Sequence, residues 1–101
     1  MKTDTVGCVK AATEILGDKW TPELLRFFLS SDKVRFCQLQ ESCGGINPRT
    51  LSARLSHLEK SGIIERVPTD TTRCEYSITK KGKDLLPVLH SMRTWSEKYA
   101  A

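Results

Sequence analysis

The spacing of apolar residues along this chain changes period several times, and each change predicts an element. Cys8, Ala11, Ala12, Ile15 and Leu16 fall three and four apart, the spacing of one helix face, and Gly17 closes the run. Thr21-Pro22-Glu23 then reads as N-cap, first-position proline and acidic first turn. The helix it opens is apolar around most of its circumference from Leu24 to Leu29, which predicts a buried segment. Ser30-Ser31-Asp32 ends it. Val34-Arg35 predicts a short extended piece, followed by a third helix with Phe36, Leu39 and Cys43 on one stripe. Gly44-Gly45 supply a tight turn, Ile46 a plug between two helices, and Asn47-Pro48 the N-cap and first position of a fourth. On that fourth helix Leu51, Leu55 and Leu58 cluster within about 60° at 100° per residue. Gly62 stops it. The strand-like runs Ile63 to Val67 and Arg73 to Ile78 predict two strands joined by a polar loop over 68–72. Thr79 caps a last helical region in which Leu85, Leu89, Met92, Trp95 and Tyr99 recur every three or four residues. Pro87 predicts a kink there or the start of a separate helix.

The predicted fold is mostly α with a small β-hairpin. A helix-turn-helix over about 36–61 followed at once by a hairpin over about 63–78 is a winged helix-turn-helix. The competing architecture is a plain helical domain carrying an incidental hairpin. A length of 101 residues with 39% hydrophobic content suits one domain, 1–101, with a modest core, and no repeat or linker marks a second. No apolar run approaches the roughly 18 residues of a membrane span, and Met1-Lys2-Thr3-Asp4-Thr5 leads into no signal core, so the expected location is cytoplasmic, without membrane partners.

Charge changes the picture moderately. Sixteen Lys and Arg against twelve Asp and Glu give +4, which suggests a polyanionic partner. The fourth helix concentrates that signal. Opposite its leucines lie Arg49, Ala53, Ser56, His57 and Lys60, flanked by Thr50, Ser52 and Arg54. Short polar and basic side chains on one face fit the major groove of double-stranded DNA, where arginine bonds guanine bidentately and hydroxyls reach bases or phosphates. Arg73, Thr71 and Thr72 near the hairpin tip can meet phosphates or a narrow minor groove. Lys33, Arg35, Arg66, Lys80 and Lys81 are further phosphate candidates. The alternative is a solvated basic face on a winged helix used as a protein-interaction module.

Several segments together resemble a known family. Ala12 to Thr21 is similar to a first-helix signature ending in Gly-x-Lys-Trp, here Gly17-Asp18-Lys19-Trp20. Arg35-Phe36-Cys37-Gln38-Leu39, Ile46 to Ser52 and Leu55 to Ile64 resemble its helix-turn-helix. Glu75 to Gly82, with Leu85-Leu86-Pro87-Val88-Leu89, resembles its wing exit and last helix. These segments resemble HxlR-type winged helix transcriptional regulators, distant relatives of the MarR proteins. The resemblance implies a homodimeric repressor or activator on a palindromic operator. It implies major-groove roles for Pro48, Arg49, Thr50, Ala53 and Arg54 and a wing role for Arg73. It also implies dimerisation through helices over about 8–17 and 83–99, placing Ile15, Leu89, Met92, Trp95 and Tyr99 at the interface. So many large apolar side chains on a small monomer point the same way.

Cys8, Cys37, Cys43 and Cys74 form no C-x-x-C pair, and His57 and His90 lack ligand spacing, so neither a metal nor a cofactor is expected. Cys43 and Cys74 read as core thiols and Cys37 as more exposed. Relatives in the family sense oxidants or electrophiles through a cysteine just before the first helix. Cys8 matches that position, although Val9 follows where relatives carry proline. The resemblance thus implies redox sensing or a small effector, with the thiolate favoured by the helix dipole and Lys10. A packing role at the interface stays open, as does a disulfide from Cys8 to Cys37 or Cys43. Nothing near these thiols suggests the cleft and orienting carboxylate of an enzyme.

Overall fold

A computed structural model describes residues 4–67 and 75–100, with side chains of the first helix from residue 9 onward. The elements run α1 (Asp4–Leu16), α2 (Thr21–Arg26) continued by a 3-10 turn (Phe27–Leu29), β1 (Lys33–Arg35), α3 (Phe36–Ser42), α4 (Pro48–Lys60), β2 (Ile64–Val67), β3 (Glu75–Ile78), α5 (Lys80–Lys83) and α6 (Leu86–Tyr99). A helix-turn-helix, α3 and α4, leads directly into the β2–β3 pair. This is the winged helix arrangement.

The short extended piece is a true strand. β1 pairs antiparallel with β3, giving a three-stranded sheet in the order β1-β3-β2. Tyr76 lies opposite Val34 on one side and Arg66 on the other, and Ile64 lies opposite Ile78. The hairpin pattern alone gave no register for β1, because three residues carry too few alternations.

The core is built where the periodicities pointed. Leu51, Leu55 and Leu58 from α4 meet Leu24, Leu25 and Phe28 and the sheet residues Val34, Ile64, Tyr76 and Ile78, all of them buried. Ile46 is buried between α3 and α4. The Asn47 side chain accepts from Thr50 N–H at 2.9 Å, an N-cap with Pro48 following as predicted.

Three expectations are corrected. Thr21 is not the cap of α2; it is buried inside the first turn. Asp18 does that work instead, its Oδ1 accepting from Trp20 N–H at 2.8 Å and Thr21 N–H at 2.9 Å, while Oδ2 accepts the Thr21 hydroxyl. A carboxylate has two acceptor oxygens and so can serve more donors at once than a single hydroxyl. The first helix starts at Asp4, so Cys8 lies in its second turn and not before it. The four N–H groups that attract a thiolate belong to the first turn, so the dipole support expected for Cys8 falls away. The separate helix that Pro87 allowed for is there: α5 ends at Lys83 and α6 opens with Pro87 in its first turn, where a missing N–H costs nothing. Finally, Leu89 is buried among the chain's own core residues, so it offers little surface to a partner.

Candidate nucleic-acid interface

α4 is held from both ends and from beneath. Its leucine stripe is sealed, with Leu51 and Leu58 at 0% exposure. Its C-terminus closes in a Schellman turn: Ile63 N–H donates to Leu58 C=O at 2.9 Å and Gly62 N–H to Glu59 C=O at 3.1 Å, with Gly62 at φ 78°. That left-handed conformation favours glycine. Carbonyls left over at this end are taken up from α5. The Thr79 hydroxyl donates to Gly62 C=O or Ile63 C=O, and Lys81 Nζ donates to Ser61 C=O at 2.7 Å. Thr79 also caps α5, accepting from Gly82 N–H. Gly82 is buried there, and a Cβ on it would come within 2.3 Å of Ile63 O, so only glycine lets α5 approach so closely.

With one face fixed, the other is presented. Pro48, Arg49, Ser52, Ala53, Ser56 and Lys60 are exposed on α4, and Thr50, Arg54 and His57 are half-buried along one flank. Among the described residues Arg49 has no ion-pair partner. Arg54 has one: its Nη1 lies 3.5 Å from Asp18 Oδ2. Burial pushes the Asp18 carboxyl up, but the Thr21 and Trp20 donors and the Arg54 charge outweigh it and hold the group below its ordinary value. Arg73 lies outside the described residues, as do Thr71, Thr72 and Cys74.

The other basic candidates mostly face polar partners within the chain. Arg35 faces Glu75 at 3.7 Å, Arg66 faces Glu59 at 3.9 Å and Lys80 faces Asp84 at 3.6 Å, while Lys81 braces the end of α4. Spacing along the sequence could not separate Arg35, Arg66 and Lys81 from groups left open to a ligand, because their partners come from other elements. Asp18 was missed for the same reason.

A second surface lies on α6. Val88 and Met92 are about two-fifths exposed, and Trp95 and Tyr99 are 62% and 63% exposed, their rings 5.3 Å apart between centroids. Val9 on α1 is 62% exposed and lines one apolar groove together with Val88 and Met92. Ile15 is half-buried against the core.

A family model for the HxlR-like helix-turn-helix matches residues 15–101. The chain belongs to that family. It is 34% identical over 90 residues to the uncharacterized HTH-type transcriptional regulator YvaP of Bacillus subtilis, covering 87% of this chain and 82% of YvaP. Its fold superposes with a TM-score of 0.82 on the redox regulator HypR in its oxidized form, at 30% identity over 89% of this chain and 94% of that one. A protein from Enterococcus faecalis V583 described as a MarR-family transcriptional regulator gives a TM-score of 0.83 at 29% identity, over 99% and 92%. The HxlR-like chain is therefore a DNA-binding transcriptional regulator with a winged helix fold. Among the described residues no helix is long and apolar enough to cross a membrane, and no three His, Cys, Asp or Glu side chains gather as metal ligands would.

Proposed function

We propose that this HxlR-like protein works as a cytoplasmic homodimer that reads a palindromic operator with two copies of α4 and catalyses no reaction. The observation that carries the reading is α4 itself, with its leucines sealed and Arg49, Ser52, Ala53, Ser56 and Lys60 outward. Pro48, Arg49 and Thr50, at the first turn, lead into the major groove; Ser52, Ala53 and His57 line the contact, Arg54 flanks it, and Arg73 follows the backbone from the wing. The test is a set of salt titrations on selected operator DNA. Arg49→Ala should cost about 1–3 kcal/mol on the best site and relax preference at one position per half-site. An Arg49→Ala protein with unchanged site preference would refute this assignment of the reading face.

Dimerisation uses α1 and α6, with the apolar groove of Val9, Val88 and Met92, the exposed Trp95 and Tyr99 further along α6, and the half-buried Ile15 of α1. Responsiveness to oxidants or electrophiles is the second half of the proposal. It is supported by the likeness to a redox regulator and by the place of Cys8 on α1, one residue from the exposed Val9. Cys43 is buried, and that burial together with the Glu23 charge, against the opposing effect of Arg26, pushes its thiol up, so it is a poor sensor. Operator affinity of wild type should fall with diamide, and that of Cys8→Ser should not. Equal responses would move the sensor to exposed Cys37 or to Cys74.

A further inference from the structure

The connection between α1 and α2 places an acidic side chain at the edge of the α4 face. Asp18 Oδ1 is occupied by two backbone N–H groups, and Oδ2 by the Thr21 hydroxyl. The same Oδ2 faces Arg54 Nη1 at 3.5 Å, longer than the roughly 2.7–2.9 Å of a charge-assisted hydrogen bond. Arg54 lies about 140° around α4 from Arg49 at 100° per residue, on the flank that borders a groove lined also by Lys10 and Glu14.

We propose that Asp18 is a positioning residue for DNA binding: it stands in for phosphate, holding Arg54 in the unbound protein and releasing it when a duplex backbone docks. The proposal rests on the reading of α4 as the DNA-contacting helix. Three features of the geometry support it. The pair is long and about one-third exposed, so little is lost when it opens. Asp18 keeps three donors after Arg54 leaves, so its carboxylate is not stranded. The same donors, with the Arg54 charge, outweigh burial and hold the carboxyl below its ordinary value. Phosphate offers Arg54 a shorter, two-pronged contact that Asp18 does not make. The remaining negative charge then stands beside the DNA, so Asp18 lowers affinity for any duplex and fixes how much Arg54 contributes.

The experiment measures binding of a labelled random-sequence duplex across a salt series for wild type, Asp18→Asn, Arg54→Gln and the double variant. Asparagine retains an Oδ1 able to accept both backbone N–H groups, so the α2 cap survives, and a thermal melt at neutral pH checks it. Asp18→Ser, with a cap-forming hydroxyl, is the second variant should asparagine disturb the fold. Asp18→Asn should tighten binding roughly 3- to 10-fold at low salt and steepen the salt slope by up to about one ion per protomer. In the Arg54→Gln background that gain should shrink to the part due to the carboxylate's own repulsion of the duplex. A gain of equal size in both backgrounds, or none in either, overturns the proposal. Failure of the underlying reading is separable: Arg49→Ala would then leave duplex affinity and slope unchanged, and this proposal would fall with it. If the role of Asp18 alone is wrong, the Arg49→Ala loss persists.

Discussion

α4 and α6 are nearly equal in length and carry apolar stripes of the same spacing, yet the structure treats them oppositely. On α4 the leucines are sealed and the polar face is offered outward. On α6 only Leu89 is buried, while Val88, Met92, Trp95 and Tyr99 stand in solvent. The difference is that α4 packs on the sheet and gives three leucines to the core, whereas α6 packs on α2 and gives the core only Leu89. An apolar stripe therefore identifies a face that needs covering without saying which chain covers it.

Truncating one residue from each stripe should separate the two cases most sharply. Leu55→Ala should lower unfolding free energy by about 2–5 kcal/mol, from lost burial plus a cavity, read by chemical denaturation. Trp95→Ala, at protein concentrations dilute enough for monomers, should change it by less than about 0.5 kcal/mol despite removing a larger side chain. Comparable losses would show that the α6 stripe is core after all. The next effect concerns assembly. Trp95→Asp sets an unpaired charge on the proposed α1–α6 surface, so sedimentation should show monomer where wild type shows dimer, with weakened binding to a two-half-site operator. A wild-type protein sedimenting as monomer at tens of micromolar, which implies about millimolar affinity or weaker, would defeat the interface.

The smallest effect tests the joint between the two regions, where Asp18 beside α1 meets Arg54 on α4. Its carboxyl is held below the ordinary value of 3.8 in the folded chain. A group lowered on folding stabilises the fold above its ordinary pKa, and that stabilisation is lost as pH falls through the folded pKa. Below about pH 4, wild type should therefore lose thermal stability faster than Asp18→Asn. Parallel melting curves for the two proteins through that range would sever the joint.

Legibility in the sequence followed the reach of each interaction. Asn47-Pro48, the Leu51-Leu55-Leu58 stripe and Thr79 were readable because cap and period are local. The exposed α4 face followed from the same stripe. The pairing of β1 with β3, the hold of Lys81 on Ser61 and the meeting of Asp18 with Arg54 join residues far apart in the chain. No local pattern encodes them. Thr21 shows the intermediate case: the local signal for a helix start was right, but the acceptor role went to a residue three places earlier.

The turn that ends α4 has one more consequence. Thr79, Lys81 and the close approach at Gly82 bind the recognition helix, the strand that follows it and the start of α5 into a single piece. Such a piece has no soft joint through which a signal could bend the reading surface. In the proposed dimer, what a signal could alter is the gap and angle between two otherwise unchanging stamps. Regulation then becomes a question of spacing along the double helix, and an operator with its half-sites moved apart by one base pair would mimic the altered state without any effector.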